Sequence, residues 1–400
     1  MPSPHHPAPH RLLHVTREAA GDRRYGLGRS LKPLIEGLEA RGHQVLYLTQ
    51  EDLGLRARSW MAQAYRVLES GFRRSRGVTQ WAALGAGLLE RFNMGRLAFK
   101  VSSLEKVTHV HLHDPFLAFG FQCFLRWSWA SIPHGITMHG YGSYTQAIHE
   151  DGARLGTFVQ KRLRALELSI LMRCNWVVFP TDAALRQTLR DLGCAPCPSH
   201  WRVIPHAGRQ LSFPERSVAR AQLGWPEDRL YLLAVGRLVP VKHFELAIEA
   251  LARSRLDSAY LVILGDGDPS PYQLLAERLG VGNRLLFDAV EDPSAYYAAA
   301  DLYLSASRSE SFGLANLEAL SAGLPVVATA VGGVPEVLGS AAYYVPDGDA
   351  EALANALKVF SASPDLRMSF RQRALQRSAG WPRVADMVSA YEILYRSVRS

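Results

Sequence analysis

The chain has 400 residues, 48% of them apolar, four cysteines and a formal net charge of +8. One core rarely serves more than about 200 residues, so two domains are expected. No apolar run reaches the ~18 residues a membrane-spanning helix needs. Four cysteines without an apolar secretory signal point to a reducing compartment, the cytoplasm.

Residues 1–10, rich in proline and histidine, read as a disordered leader. Beyond them, short apolar runs alternate with helical periods, the pattern of parallel sheets wrapped by helices. Leu12–Thr16 reads as the first strand and Leu27–Ala40 as a helix closed by Arg41-Gly42-His43. Gln44–Thr49, Val110–His113, Gly135–His139, Trp176–Pro180 and Val203–Pro205 follow as strands of an N-terminal half. Phe116–Ala130 reads as a buried helix behind Pro115. In the second half the strands are Leu230–Val235, Tyr260–Leu264, Arg284–Phe287, Asp301–Ser305, Pro325–Thr329 and Ala342–Val345. The aperiodic stretch His206–Pro214 separates two domains, 11–207 and 208–380, and a last helix over 381–400 opens at Trp381-Pro382.

Between about 55 and 106 lies an insertion-like helical region with ten Lys or Arg against three Glu. Its basic residues, among them Arg56, Arg73, Arg74, Arg91, Arg96 and Lys100, are interleaved with Trp60, Tyr65, Phe72, Trp81, Phe92 and Phe99. Basic and aromatic side chains on helices suit anionic lipid headgroups. They also suit a phosphorylated or acidic acceptor, and they suit a packed helix pair with solvated arginines; all three readings stand. No helix-turn-helix, RNA-recognition or finger motif is present, so nucleic acid is excluded as partner. Cys194-Ala-Pro-Cys197, with His200 behind it, supplies two ligands where a structural zinc wants four, and reads as a surface loop. Asp266-Gly-Asp268 follows a buried strand and reads as a turn rather than a metal site.

The most informative stretch is Ser309–Pro325. It puts Glu310 just before a helix and Glu318 inside it, with Phe312, Gly313 and Leu314 at the helix mouth. A helix N-terminus beyond a parallel strand offers unpaired N–H groups and a positive dipole end to a phosphate. Gly313 allows close backbone approach. Arg237, at the end of a strand, can grip phosphate bidentately, and Lys242, at the head of the next helix, adds a compact charge. In the first half, Gly26 and Gly28 sit at the first strand-to-helix turn. His139 ends a strand, as do His113 and Asp114.

Together these pieces resemble the retaining family 4 glycosyltransferases. The Glu310-x7-Glu318 element, Gly236-Arg237…Lys242, Leu261-Val-Ile-Leu-Gly-Asp-Gly-Asp268 and Leu324–Glu336 appear in the family's order, densely from about Arg202 to Leu357. The resemblance implies an α/β fold of the GT-B type, two Rossmann-like domains with parallel sheets facing an inter-domain cleft. It implies transfer of a hexose from a nucleotide-diphosphate sugar, UDP or GDP, to a glycan or lipid-linked acceptor, without metal or other cofactor. It places Glu310 and His139 at the transferred sugar, and Arg237, Lys242 and the Phe312–Leu314 amides at the diphosphate. Glu318 falls at the ribose and Gly26 on the glycine-rich loop, where the usual Gly-Gly is here Tyr25-Gly26. His113 and Asp114 either touch acceptor or orient their loop. Ile204-Pro-His-Ala-Gly-Arg209 departs from the family's Ile-Pro-Asn-Gly-Val-Asp. Bacterial surface-polysaccharide synthesis, with peripheral attachment to the inner face of the cytoplasmic membrane, is the expected setting. A GT-B epimerase or phosphorylase, or a non-catalytic membrane- or glycan-binding scaffold, are the rival readings.

Overall fold

A computed structural model of the protein describes residues 9–17, 27–54, 76–128, 130–150, 156–209 and 211–398. It divides into two compact units, one of residues 1–23, 31–205 and 385–400, the other of 24–30 and 206–384. The first holds β1 (Arg11–Val15), β2 (Gln44–Leu48), β3 (His109–Leu112), β4 (His134–Thr137), β5 (Trp176–Phe179) and β6 (Trp201–Val203), in the order β2-β1-β3-β4-β5-β6. The second holds β7 (Leu230–Val235), β8 (Ala259–Leu264), β9 (Leu285–Asp288), β10 (Leu302–Ser305), β11 (Val326–Thr329) and β12 (Ala342–Val345), in the order β12-β11-β10-β7-β8-β9. Every pairing is parallel. The expected strands all form, most with ends displaced by a residue. β6 lies upstream of the expected Val203–Pro205 because Trp201 pairs with Val177, and Pro205 has no N–H for a ladder.

Alternation along the strands explains why both faces of each sheet are covered. In the second unit Leu232, Ala234, Leu261, Ile263 and Leu304 join one core with Phe244, Leu251, Leu353 and Leu357. Leu233, Val235, Val262, Leu264 and Val326 join the other with Tyr297, Leu317, Leu320 and Val337. In the first unit Leu13, Val15, Val110, Leu112, Ile136, Val177 and Phe179 form the apolar face. The opposite face carries imidazoles. His109 and His111 of β3, together with Trp176, meet Tyr391 and Tyr395 of the last helix, Val384–Ser397. The His111 ring bonds the Tyr395 hydroxyl at 2.7 Å and the Thr137 hydroxyl at 2.8 Å. Glu392 of that helix joins the His43 ring at 2.8 Å and accepts from Arg41 at 2.8 Å. The indole of Trp176 lies across Gly135, where a Cβ would come within 2.3 Å of the ring.

Several expectations change. Residues 1–8 of the expected leader lie outside the described residues, but His10 is held, its N–H donating to His43 Nδ1 at 2.9 Å. Of the basic insertion, Arg56, Arg58, Arg66, Arg73, Arg74, Trp60, Tyr65 and Phe72 also lie outside the description, as do the side chains of Arg76 and Trp81. The described part is a helix, Arg76–Leu104, and it turns key members of the set inward. Arg91 is buried, donating to Asp114 Oδ2 at 2.8 Å and to the Gly87 carbonyl at 2.9 Å. Phe92 and Phe99 meet Phe119, Phe121 and Phe124 of the helix Pro115–Ser128. These three side chains therefore serve packing, not a lipid surface. The Pro115–Ser128 helix is buried only in its first half, and Trp127 near its end is 83% exposed. Among the described residues no helix is long and apolar enough to cross a membrane.

The two helices touch backbone to backbone. A Cβ on Gly95 would lie 2.3 Å from the Leu117 carbonyl oxygen, and one on Gly120 would lie 2.4 Å from the Phe92 carbonyl oxygen. Gly85, on the same long helix, meets nothing within 4 Å. Gly95→Ala should therefore destabilise by ~1–3 kcal/mol through overpacking. Gly85→Ala should stabilise by about 0.5–1 kcal/mol through helix propensity. Thermal denaturation of the two variants checks this, and shifts of the same sign would contradict the crossing.

Candidate active site

In the second sheet the strand order reverses between β7 and β10, which are neighbours although three strands apart in the chain. At such a switch point the loops leaving the strand ends part and leave a crevice for ligand. β7 ends at Gly236-Arg237, and the chain then makes a 3-10 turn, Pro240–Lys242, before the helix Phe244–Ser254. Lys242 folds back over Gly236, where a Cβ would meet its side-chain carbons at 3.1–3.4 Å. Its Nζ donates to Glu310 Oε2 at 2.5 Å. The pair is mostly buried, with side-chain exposures of 25% and 17%.

Neighbouring loops hold this pair. Behind β8, Gly265 approaches so closely that a Cβ there would fall 1.8 Å from the Gly236 carbonyl oxygen. The Arg308 N–H donates to the Val241 carbonyl at 2.9 Å, and the Gly333 N–H to the Glu310 carbonyl at 2.8 Å. The Thr329 hydroxyl donates to the carbonyls of Ser305 and Ser307 at 3.2 and 2.6 Å. The loops after β7, β10 and β11 are thus cross-linked by backbone bonds. Arg237 is exposed beside them and forms no ion pair with any described residue.

The helix Leu314–Ser321 starts at Gly313, whose φ of +82° is left-handed, and no side chain caps it. A Cβ on Gly313 would also come within 2.5 Å of the Asn316 side-chain amide, which would have to shift, but the left-handed φ is what favours glycine here. The Asn316 N–H donates to the Gly313 carbonyl at 2.9 Å, which leaves the N–H groups of Leu314 and Ala315 without a helix carbonyl to bond. The Phe312 ring is buried, edge-on to His206 at 5.1 Å and to Trp381 at 5.7 Å. Only its backbone can meet a ligand. Glu318 is likewise 2% exposed, and its Oε2 accepts the Tyr297 hydroxyl at 3.0 Å. Arg209 Nη1 stands 4.0 Å from Glu318 Oε1. A ribose hydroxyl bound there, as the resemblance implies, would share this carboxylate with Tyr297 and Arg209.

Those two partners escaped the sequence reading. Tyr297 lies in the short apolar helix Ser294–Ala299 and gives no local signal. Arg209 gave one, since it belongs to the departure Ile204–Arg209. In that same departure His206 is buried, which pushes its pKa down to about 4, and its carbonyl accepts from Trp381 Nε1 at 2.9 Å. Asp266 and Asp268 sit in an exposed turn, where the Asp266 carbonyl accepts from Leu238 and Asp268 Oδ1 accepts from the Ser270 N–H. Among the described residues no three His, Cys, Asp or Glu side chains group closely enough to hold a metal ion.

In the first unit, His139 follows β4 and is half-buried. Its Nε2 lies 3.0 Å from His113 Nδ1. Asp114 is engaged within the unit. It is buried, accepts from the N–H groups of Phe116 and Leu117 at the start of the Pro115–Ser128 helix, and holds Arg91. Asp114 thus holds the start of the helix after β3, one of the two parts left open for it, whereas His113 bonds the rings of His14 and His139. Gly28 is buried in the first turn of the Leu27–Ala40 helix, and Gly26 lies outside the described residues. Cys194 and Cys197 are free thiols in the loop before β6, and the His200 ring bonds the Leu171 carbonyl.

The chain resembles known proteins along most of its length. Residues 25–207 match the family described as Glycosyltransferase Family 4, and residues 215–377 match Glycosyl transferases group 1. D-inositol 3-phosphate glycosyltransferase 1 of Catenulispora acidiphila is 32% identical over 291 residues, 66% of this chain and 67% of its own. The D-inositol 3-phosphate glycosyltransferase of Streptomyces scabiei is 36% identical over 185 residues, so that 42% of each chain is covered. Sucrose-phosphate synthase from Thermosynechococcus elongatus matches in structure with a TM-score of 0.75 at 21% identity, over 97% of this chain and 98% of its own. Anabaena HepE in complex with UDP-glucose gives 0.69 at 17%, over 97% and 100%. The two six-stranded parallel sheets, with these likenesses, define a GT-B protein. The chain belongs to glycosyltransferase family 4.

Coupling between Lys242 and Glu310 is open to measurement. A thermal double-mutant cycle with Lys242→Met and Glu310→Gln should give about 1–2 kcal/mol of interaction energy. A coupling near zero would show that the two side chains do not pair in solution.

Proposed function

We propose that the protein is a retaining, metal-independent hexosyltransferase that uses a nucleotide-diphosphate sugar as donor. One observation carries the reading: Lys242 paired to Glu310 beside the exposed Arg237 and the uncapped Leu314 turn. Breaking the bond between an anomeric carbon and a diphosphate builds negative charge on the leaving oxygen, and fixed positive groups lower that barrier. Arg237 grips the diphosphate bidentately and the amides at Gly313 and Leu314 add the helix dipole. As the diphosphate draws Lys242 toward itself, Glu310 is released from its partner. Its carboxylate is then available to position a sugar hydroxyl or to stabilise an oxocarbenium-like centre. Transfer takes place on the front face, without a covalent enzyme intermediate. His139 contacts the donor sugar, and Glu318 accepts from the ribose beneath the helix.

UDP is the first choice of donor nucleotide, supported by the UDP-glucose held by HepE, with GDP second. The acceptor is a glycan or lipid-linked sugar of surface-polysaccharide synthesis, approached from the cytoplasmic side. A second reading, a phosphorylated cyclitol, is favoured by the name of the Catenulispora relative, which this chain matches over two-thirds of its length. Assaying UDP-, GDP- and ADP-sugars against inositol 3-phosphate and against lipid-linked acceptors separates the two. Epimer or sugar phosphate formed from donor alone would instead favour the epimerase or phosphorylase alternative.

Lys242→Ala should raise the barrier by about 2–4 kcal/mol, roughly 30- to 1000-fold in kcat/KM. EDTA should leave the rate unchanged. A rate unmoved by Lys242→Ala, or abolished by EDTA, would contradict the proposed chemistry.

A further inference from the structure

The first unit contains a hydrogen-bonded row of imidazoles of which the proposed function uses only the last, His139. His14, the next-to-last residue of β1, is fully buried and stacked on His111 and His113 at centroid distances of 4.9 and 5.4 Å. His14 Nδ1 lies 3.1 Å from His113 Nε2, and His113 Nδ1 lies 3.0 Å from His139 Nε2. At the closed end of the row, His14 Nε2 is buried without a hydrogen-bond partner among the described residues.

That orphan nitrogen gives the row a direction. Burial keeps His14 neutral, its pKa pushed down to about 3, so it carries one N–H and one bare nitrogen. Two arrangements satisfy both inter-ring bonds. In one, every proton points toward His14, and His14 buries an N–H on Nε2 that nothing accepts. In the other, His14 donates from Nδ1 to His113, His113 donates from Nδ1 to His139, and the orphan is only a lone pair. Buried N–H groups without acceptors are rarer and costlier than under-used acceptors. The second arrangement is therefore the stable one.

We propose that His14 is a positioning residue that fixes the tautomer of His139 through His113. His139 then accepts on Nε2 and carries its single proton on Nδ1, as a hydrogen-bond donor to an oxygen of the ligand, a sugar hydroxyl or a phosphate oxygen. The role at the sugar rests on the function proposed above, whereas the tautomer does not. A second imidazole nitrogen engaged by a partner is the general way in which a protein selects the working nitrogen of a histidine.

The test is a two-bond 1H–15N correlation spectrum of the full chain labelled at histidine, with His139 assigned from its loss in His139→Gln. The wild type should show His139 protonated at Nδ1, and protonation at Nε2 would overturn the proposal. His14→Leu removes the donor and should turn His139 into a mixture of tautomers. His14→Asn places an amide N–H near the position of Nδ1 and should restore the single form. A His139 spectrum identical in wild type and in folded His14→Leu would also overturn it. With an active donor, His14→Leu should lower kcat/KM about tenfold, the scale of one misdirected hydrogen bond, and His14→Asn should recover most of that. Should no sugar nucleotide be turned over while the tautomer responds as described, the transfer reading fails and the role of His14 stands. Should turnover be present and the tautomer indifferent to His14, the reverse holds.

Discussion

One contact organises the second unit's candidate site: the 2.5 Å ion pair of Lys242 with Glu310, formed between loops that leave β7 and β10. Two groups mostly withdrawn from water must pair, because either one alone would keep the cost of lost hydration. That requirement fixes how the strand-end loops approach. Lys242 has to cross Gly236, Gly236 has to lie against Gly265, and Glu310 has to be gripped by the Gly333 N–H. A cation is thereby held ready at the switch point but partly neutralised until an anion competes for it. On the proposed function, the same competition would free a carboxylate when a sugar diphosphate arrives, so that binding and preparation for chemistry would be one event.

The first unit solves a different problem. Its sheet is apolar toward the helices Arg76–Leu104 and Pro115–Ser128, and aromatic and imidazole-rich toward the last helix. Buried imidazoles tolerate this only while neutral and bonded, which is why Tyr391, Tyr395 and Thr137 hydroxyls lie among them. Such a layer is directional where a hydrocarbon layer would not be. On the proposal above, it carries information about proton position from His14 in β1, through His113 after β3, to His139 beyond β4.

Much of this was legible in the letters. Each strand is a short apolar run closed by glycine, proline or a polar residue, and two signals coincide at Glu310 and Lys242, strand ends followed by helix starts. What was not legible depends on partners far apart in the chain. Arg91 looked like one more surface cation until the crossing at Gly95 and Gly120 brought it to Asp114. Phe312 and Glu318 carry a recognisable spacing, but spacing says nothing of depth, and Tyr297 and Trp381 decide how deeply they sit. The run Val110–His113 was visible as a strand. That its histidines would face a second aromatic layer and join His14 depends on the register of β1 with β3 and on the last helix, and no local pattern encodes either.

The central claim is that the C-terminal edge of the second sheet is a diphosphate seat. Calorimetric titration of UDP, GDP and ADP, each beside its own nucleoside, tests it most directly, in the wild type and in an Arg237→Gln/Lys242→Gln double variant. The account predicts that at least one diphosphate binds the wild type a hundredfold or more tighter than its nucleoside, and that the double variant loses most of this difference while still binding the nucleoside. A diphosphate advantage that survives the loss of both cations would contradict it.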